Sequence, residues 1–178
     1  MSSSIKTARF TISPLTAADR EAFTAYRATE ETARYQGWEA TYSLEDADGL
    51  IAGQPESFPP PEDGWLQLAI HDESGALVGD VAVHTTTQPD TYELGVTVAP
   101  SHQRKGVARE ALGAVVDALF GEHKAHRVTA ETDARNDAVG ELLKSLGFTH
   151  EGRAREADFF KGEWVSLDSW AILASDRR

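Results

Sequence analysis

The clearest pattern of hydrophobic and polar positions in this chain is a short alternation with period two that gives way to a longer one with helical period. Residues 93–98 alternate and are rich in Val and Thr, which predicts a β-strand that ends before Pro100. The apolar positions that follow predict one buried helix face; they are Val107, Ala108, Ala111, Leu112, Val115, Val116, Leu119 and Phe120. The chain is therefore expected to pass from a strand through a short turn into a long amphipathic helix.

The turn between this strand and helix is basic and contains a glycine. Its sequence is Gln103-Arg104-Lys105-Gly106-Val107-Ala108, and Arg109 follows in the first helical turn. The first N–H groups of a helix have no internal partner and its dipole favours negative charge there, so the turn predicts a phosphate site. The other interpretation is a plain helix start with basic residues, which the dipole disfavours. No Gly-Lys-Ser/Thr sequence closes the turn, so a Walker loop is excluded.

A second strand and helix follow. Residues 127–132 predict a strand, and Asn136 then precedes a helix that ends at Gly147. The apolar face of this helix consists of Ala138, Val139, Leu142, Leu143 and Leu146. Asn is among the best helix N-cap residues, which is one interpretation of Asn136; a ligand contact is the other.

The remaining elements are predicted from similar patterns. They are a first strand over 10–15, a helix over 19–31, a hairpin of 65–71 and 76–84 around the turn Asp72–Gly75, and a proline-rich loop over 53–64.

Composition sets further bounds. A chain of 178 residues suits one domain, and its content of 40% hydrophobic and 26% charged residues is ordinary for a globular protein. We expect residues 1–8 to form a flexible N-terminus and residues 9–175 to form a single domain.

The absence of cysteine excludes disulfides, thiolate metal sites and a cysteine nucleophile. No apolar run reaches the ~20 residues needed to cross a bilayer, and residues 1–8 lack the apolar stretch of a signal peptide, so a cytoplasmic protein is expected.

The chain is acidic, with a net charge of −12 and a pI near 4.8. This charge argues against nucleic-acid binding, which needs a basic face. An acidic field favours a cationic substrate, although solubility alone also accounts for it. The histidines show no metal-ligand spacing with carboxylates, so no metal site is predicted.

The turn from Gln103 to Ala108 has the form Q/R-x-x-G-x-G/A, and with the preceding strand and the following helix it resembles the acetyl-CoA signature of the GNAT acetyltransferase superfamily. Asn136 and the sequence Leu146-Gly147-Phe148 resemble a later block of that superfamily. Other segments are similar to the RimJ/RimL-like branch, the ribosomal-protein N-terminal acetyltransferase type. They are 77–83 (LVGDVAV), the substrate-side region 33–52 and the closing hairpin 152–173 with Lys161-Gly162 at its turn.

This resemblance implies a single α/β (α+β) domain, with a mixed, mostly antiparallel sheet flanked by helices and two splayed central strands. It implies an enzyme that transfers an acyl group from acetyl-CoA to a primary amine of a protein N-terminus or of a small molecule. The cofactor residues that it implies are Val96, Thr97, Val98, Gln103, Arg104, Lys105, Gly106, Val107, Ala108, Arg109 and Asn136, with the backbone of Val98 as donor to the oxyanion. A homodimer is left open, and no metal, nucleic-acid or membrane partner is expected.

The resemblance also suggests catalytic groups. Glu131 and Glu93 match acidic positions that relatives use or share, so both are candidate general bases, and His84 is a further candidate for proton relay. The usual acids are missing, because Leu143 stands where many relatives have tyrosine and Val139 where the branch often has serine. A weakly catalytic CoA-binding or regulatory module is therefore the alternative function.

Overall fold

The computed structural model describes residues 4–177. The predicted strands and helices occur in the predicted order, and a short unpredicted strand, Ile5–Lys6, precedes them. The strands are β1 (Ile5–Lys6), β2 (Thr11–Pro14), β3 (Trp65–His71), β4 (Leu77–Thr85), β5 (Thr91–Val98), β6 (Arg127–Asp133), β7 (Thr149–Phe160) and β8 (Glu163–Leu173). The helices are α1 (Arg20–Arg27), α2 (Glu30–Ala33), α3 (Leu44–Ala52), α4 (Val107–Gly121) and α5 (Asp137–Ser145). Short 3-10 turns precede α1, follow β5 and close the described chain.

The strands form one sheet in the order β1-β2-β3-β4-β5-β6-β8-β7. Every neighbouring pair is antiparallel except β5 and β6, which run parallel. Because α4 connects β5 to β6, this parallel pair has the helical crossover that parallel strands require. The predicted mixed, mostly antiparallel sheet is confirmed.

Helices cover both faces of the sheet. On one face α4 buries Val107, Ala111, Leu112, Val115 and Leu119 against the sheet in the larger hydrophobic core. On the other face α1 and α3 bury a smaller core that includes Phe23, Tyr26 and Ala47. Since consecutive strand residues point to opposite faces, each strand position can be assigned to the α4 face or to the α1 face.

The helix predicted over 19–31 is divided in two. Helix α1 ends at Arg27, and Thr29 adopts an extended conformation in which its hydroxyl accepts a hydrogen bond from the backbone of Thr32. Thr29 is therefore the N-cap of α2, a role that favours threonine and interrupts a continuous helix. Within the predicted N-terminal stretch 1–8, residues 1–3 lie outside the described residues, and Ile5–Lys6 pairs with β2.

The β7–β8 hairpin closes the sheet at its far edge. Lys161 and Gly162 connect its strands with φ of 50° and 84°. Two successive positive φ values are typical of a type I′ turn, whose twist matches that of the flanking strands. The predicted Lys161-Gly162 turn is thus present, and it places Lys161 at the tip of the hairpin.

Candidate active site

The parallel strands β5 and β6 separate after only three residue pairs. Thr91, Tyr92 and Glu93 pair with 127–129, and β5 and β6 do not pair with each other beyond these residues. The two strands therefore splay apart and leave a gap in the middle of the sheet, as the family resemblance implies. Gly79 on β4 allows β5 to lie close on the other side, because a Cβ there would come within 2.5 Å of the Thr97 carbonyl oxygen.

Strand β5 presents unpaired backbone groups to this gap. The N–H of Ala99 donates to the carbonyl of Val78 on β4. Because backbone groups alternate in direction along a strand, the N–H groups of Thr97 and Gly95 also point towards β4. The N–H groups of Val98 and Val96 consequently point the other way, into the gap. The gap thus contains donors at the position predicted for the oxyanion contact.

The turn after β5 has the backbone of an anion site. Arg104 and Gly106 adopt left-handed conformations, with φ of 61° and 76°. Gly106 is the N-cap of α4, and no side chain caps the helix start. The first N–H groups of the helix are therefore directed at the space in front of Val107 and Ala108, where a phosphate would meet both the donors and the helix dipole.

Three side chains hold this turn in place. Gln103 donates from Nε2 to the carbonyl of Val98 (3.1 Å), and Lys105 donates from Nζ to the carbonyl of Ser101 (3.1 Å). From the β1–β2 connection, Arg9 donates from Nη1 to the carbonyl of Lys105 (2.9 Å) and from Nε to the carboxylate of Glu110 (2.7 Å). Sequence reasoning missed Arg9, because a contact between residues so distant in the chain leaves no local pattern.

Asn136 is the N-cap of α5. Its Oδ1 accepts a hydrogen bond from the backbone N–H of Val139 at 3.4 Å. The side-chain nitrogen takes no part in that bond, and Asn136 also lies in the wall of the gap. Capping and ligand contact are therefore compatible roles for this residue.

A cavity of about 580 Å³ joins the gap, the turn and the start of α5. All predicted cofactor residues line it except Lys105, whose side chain instead holds the turn. Of the two candidate bases, Glu131 lines the cavity and Glu93 lies beyond its wall. The structure thus brings together residues that are separated by more than thirty positions in the chain.

Glu131 lies on the α1 face of the sheet, opposite the α4 face to which Ala130 contributes its methyl group. Partial burial raises the pKa of the Glu131 carboxyl, and the negative charges of Glu93 and Asp158 raise it further. The carboxyl nevertheless remains accessible to solvent through the cavity. A carboxylate with a raised pKa is a better proton acceptor than an ordinary one, which suits a general base.

His84 extends this acidic region to the protein surface. Its Nδ1 lies 3.4 Å from the carboxylate of Glu93, and its Nε2 lies 3.2 Å from the carboxylate of Asp63. The imidazole stacks on Trp65 with the ring centroids 4.5 Å apart. His84, Glu93 and Glu131 therefore share one face of the sheet, and the His84 side chain, which is 14% exposed, lies between Glu93 and Asp63.

The segment 31–36 forms a further wall of the cavity through Glu31, Thr32, Tyr35 and Gln36. Of the segment 33–52, which the sequence indicates as substrate-side, only Tyr35 and Gln36 line the cavity. The sequence could have indicated this wall through its polar and aromatic residues, which lie between two short helices. This wall and Glu131 lie on the same side of the cavity.

The two positions that lack the usual acids are both apolar parts of the cavity wall. Leu143 is buried and Val139 is half-buried. The hydroxyl groups that do line the cavity belong to Thr32, Tyr35, Thr97 and Thr132. Within residues 4–177 no three His, Asp or Glu side chains gather closely enough to hold a metal ion, and none of the helices there has the length and apolar character to cross a membrane.

Comparison with known proteins gives a consistent family pattern. The family described as acetyltransferase (GNAT) domain matches residues 9–149. The uncharacterized N-acetyltransferase YoaA of Bacillus subtilis is 29% identical over 171 residues, which cover 95% of this chain and 96% of YoaA.

Two further proteins are similar to parts of the chain or to its fold. The [ribosomal protein uS5]-alanine N-acetyltransferase of Escherichia coli is 34% identical over 83 residues, 47% of this chain and 43% of that protein. The crystal structure of spermidine N-acetyltransferase from Vibrio cholerae, in complex with CoA and spermine, has a TM-score of 0.83 at 20% identity. This alignment covers 96% of the present chain and 98% of the other, and it shows a shared fold.

Proposed function

The chain belongs to the GNAT acetyltransferase family, and from that premise we propose that it transfers the acetyl group of acetyl-CoA to a primary amine. The observation that carries this proposal is the cavity in which the β5–β6 gap opens beside the phosphate turn. It offers a long ligand with an anionic end both a slot in the sheet and a helix start.

The cofactor residues divide by the part of CoA that they would hold. The N–H groups at Gly106, Val107 and Ala108 would bind the pyrophosphate, with the guanidinium groups of Arg104 and Arg109 nearby in the cavity wall. The amide-containing arm would lie in the gap, between β5 and Asn136. A thioester carbonyl at the open end of the gap could accept hydrogen bonds from the N–H of Val98 or Val96.

In the proposed reaction, the amine nitrogen attacks the thioester carbonyl carbon and the C–S bond breaks. The ammonium form of the amine gives up one proton to Glu131, directly or through one water, before the attack. The nitrogen loses its second proton to water or to the departing CoA thiolate as the amide forms. A thiol has a pKa near ~8.5, so its thiolate leaves with little assistance. This chemistry fits a cavity with apolar groups at Leu143 and Val139, where relatives place an acid.

The acceptor is proposed to be a cationic primary amine. Glu31 and Glu131 line the acceptor side of the cavity, with Glu93 and Asp158 close behind Glu131, and the whole chain carries a charge of −12. Such a field attracts a protonated amine and increases its local concentration. Both a polyamine and a protein N-terminus carry such a protonated amine.

We further propose that the protein belongs to the RimJ/RimL-like branch, which the partial similarity to the uS5-alanine enzyme supports.

Three further parts of the proposal follow from this assignment. Residues 9–175 would form the catalytic domain, because the cavity draws on elements from α2 to α5 and the β7–β8 hairpin pairs with β6 in the same sheet. We propose a cytoplasmic location, which the proposed use of acetyl-CoA, an intracellular metabolite, supports. A homodimer is also proposed. It is not needed to complete the site, because every group in the site comes from one chain.

The decisive experiment measures release of free thiol from acetyl-CoA in the presence of a panel of amines. The panel should include spermidine, peptides that begin with alanine, and single amino acids, with N-acetylated forms of each as matched controls. We expect at least one free amine to accelerate thiol release and its acetylated form to have no effect. Tight binding of acetyl-CoA without turnover of any amine would favour the binding-module alternative, to which the apolar residues Leu143 and Val139 point.

A further inference from the structure

The acceptor wall 31–36 is poorly supported by regular structure. It consists of the last residues of α2, which has only four residues, and of the turns that follow. No strand pairs with it, so backbone ladders do not fix its position relative to Glu131. Some other set of contacts must hold Tyr35 and Gln36 in the cavity.

The tip of the β7–β8 hairpin supplies one of these contacts. Lys161 donates from Nζ to the carbonyl of Ala33 at 2.5 Å and to the carbonyl of Trp38 at 2.7 Å. Its ammonium also lies 3.9 Å from the carboxylate of Glu39, and the side chain is only 23% exposed. The two carbonyls flank residues 34–37, so a single cation closes this turn at both ends.

A second cation holds the same turn from inside the protein. The guanidinium of Arg27 is buried, pairs with Asp80 at 3.1 Å and lies 3.7 Å from the centroid of the Trp38 ring. The indole N–H of Trp38 donates to the carbonyl of Arg27 at 3.0 Å. Trp38 is therefore fixed on the inner side by Arg27 and on the outer side by Lys161.

The hairpin is linked to the wall 31–36 at a second point, through Arg135. Arg135 binds Glu163 at the start of β8 at 2.6 Å and Asp133 at the end of β6 at 2.7 Å. Its guanidinium also lies 5.6 Å from the centroid of the Tyr35 ring. The hairpin tip is thus connected to the acceptor wall both through Lys161 and through the contact of Arg135 with Tyr35.

We propose that Lys161 is a positioning residue for the acceptor amine, acting through the wall 31–36 that it tethers to the hairpin. This inference rests on the proposed acetyltransferase function. Lys161 touches neither the phosphate turn nor the β5–β6 gap, so it should influence acceptor binding and leave cofactor binding unchanged. Arg27 provides the fixed inner support, and Lys161 is the outer contact that a surface substitution can remove without opening the core.

The test compares Lys161→Met with Lys144→Met. The first keeps the aliphatic stem and removes the three donors. The second removes a similar surface cation, which pairs with Glu141 at 2.8 Å on α5, away from the wall. With spermidine or an alanine-initiated peptide as acceptor, we expect Lys161→Met to raise the acceptor KM about tenfold, as for a lost charged hydrogen bond. The KM for acetyl-CoA should stay within about twofold, and Lys161→Arg should restore most of the acceptor affinity.

Hydrogen exchange gives a readout that does not depend on turnover. In Lys161→Met, amides of residues 33–39 should exchange at least about tenfold faster than in the wild type, whereas Lys144→Met should leave them unchanged. Unchanged exchange in this segment would overturn the tether, even if no acceptor is found. Unchanged acceptor KM, or equal effects on both substrates, would overturn the positioning role. If the wild type turns over no amine and exchange still accelerates, the proposed function fails and the tether alone remains.

Discussion

Glu131 and Glu93 project from neighbouring strands onto the same face of the sheet, and the charge of Glu93 helps to raise the pKa of Glu131. Glu131 lines the cavity and Glu93 does not. The two carboxylates therefore have different expected roles, one as the proton acceptor and the other as the charge that tunes it.

Replacing Glu131 by Gln should lower kcat by about 10²-fold or more, the low end for loss of a general base. Gln has nearly the same shape, so binding of acetyl-CoA should hardly change. Steady-state kinetics together with calorimetric titration of CoA will check both parts. Wild-type turnover in this variant between pH 6 and 9 would show that water or His84 takes the proton instead.

Replacing Glu93 by Gln should shift the pH profile. Glu93 raises the pKa of Glu131, so its neutralisation should lower that pKa. The base would then remain ionised to lower pH, and the acidic limb of kcat/KM against pH should move towards lower pH. His71→Gln is the matched control, because His71 pairs with Asp19 at 2.6 Å outside the cavity and its loss should leave the profile in place. A limb that moves to higher pH contradicts the assignment.

Replacing Gly106 by Val should abolish cofactor binding. The φ of 76° at this position disfavours a β-branched residue, and an added Cβ would lie 3.2 Å from the Arg9 guanidinium. Acetyl-CoA at about a hundredfold over its Kd should stabilise the wild type by about 2.7 kcal/mol, and this shift should vanish in the variant. Gly152→Val on β7, where a Cβ meets nothing within 4 Å, should retain it. Thermal denaturation with and without acetyl-CoA measures the stabilisation of the wild type and of each variant. If acetyl-CoA does not stabilise the wild type, the proposed cofactor is wrong.

Replacing Val139 by Ser should change turnover by less than about tenfold, or roughly 1.4 kcal/mol in the barrier. The thiolate is already a good leaving group, so a hydroxyl near the sulfur adds little. Val139→Ala controls for the lost methyl groups. Single-turnover rates of the two variants make the comparison, and a gain of a hundredfold in Val139→Ser would mean that the native protein is an impaired catalyst.

Asp168 should contribute stability that is lost in acid. Arg153 binds its carboxylate through two hydrogen bonds of 2.7 and 2.9 Å, and together with His150 it lowers the pKa of this buried group to about 2. The stabilisation is therefore present above the ordinary pKa near 3.8 and disappears as the pH falls through about 2. Asp168→Asn should reduce the free energy of unfolding by about 2 kcal/mol at pH 7, with a smaller difference from wild type at pH 2. Urea denaturation at both pH values tests this, with Glu156→Gln on the adjacent strand as control.

The sequence predicts best those parts of the site that depend on neighbouring residues. The strand, turn and helix around Gly106 and the capped helix after Asn136 are local patterns, and both occur where expected. The cavity wall 31–36 overlaps only the start of the segment 33–52 that the sequence indicates, because the position of this turn depends on contacts with Lys161 and Arg27. Such contacts join residues far apart in sequence and leave no periodic signal. The different relations of Glu131 and Glu93 to the cavity likewise depend on where the strands separate.

Only three residue pairs join β5 to β6, so the sheet consists of two parts that are connected by a short parallel pairing. Strands β1–β5 form one part, and β6, β8 and β7 form the other. A small rotation of one part relative to the other would widen the gap between β5 and β6 while every other strand pairing stays intact. We therefore expect the angle between the two parts to set the size of the acyl chain that the protein accepts. Donors longer than acetyl would be admitted by a wider angle rather than by repacking of either core.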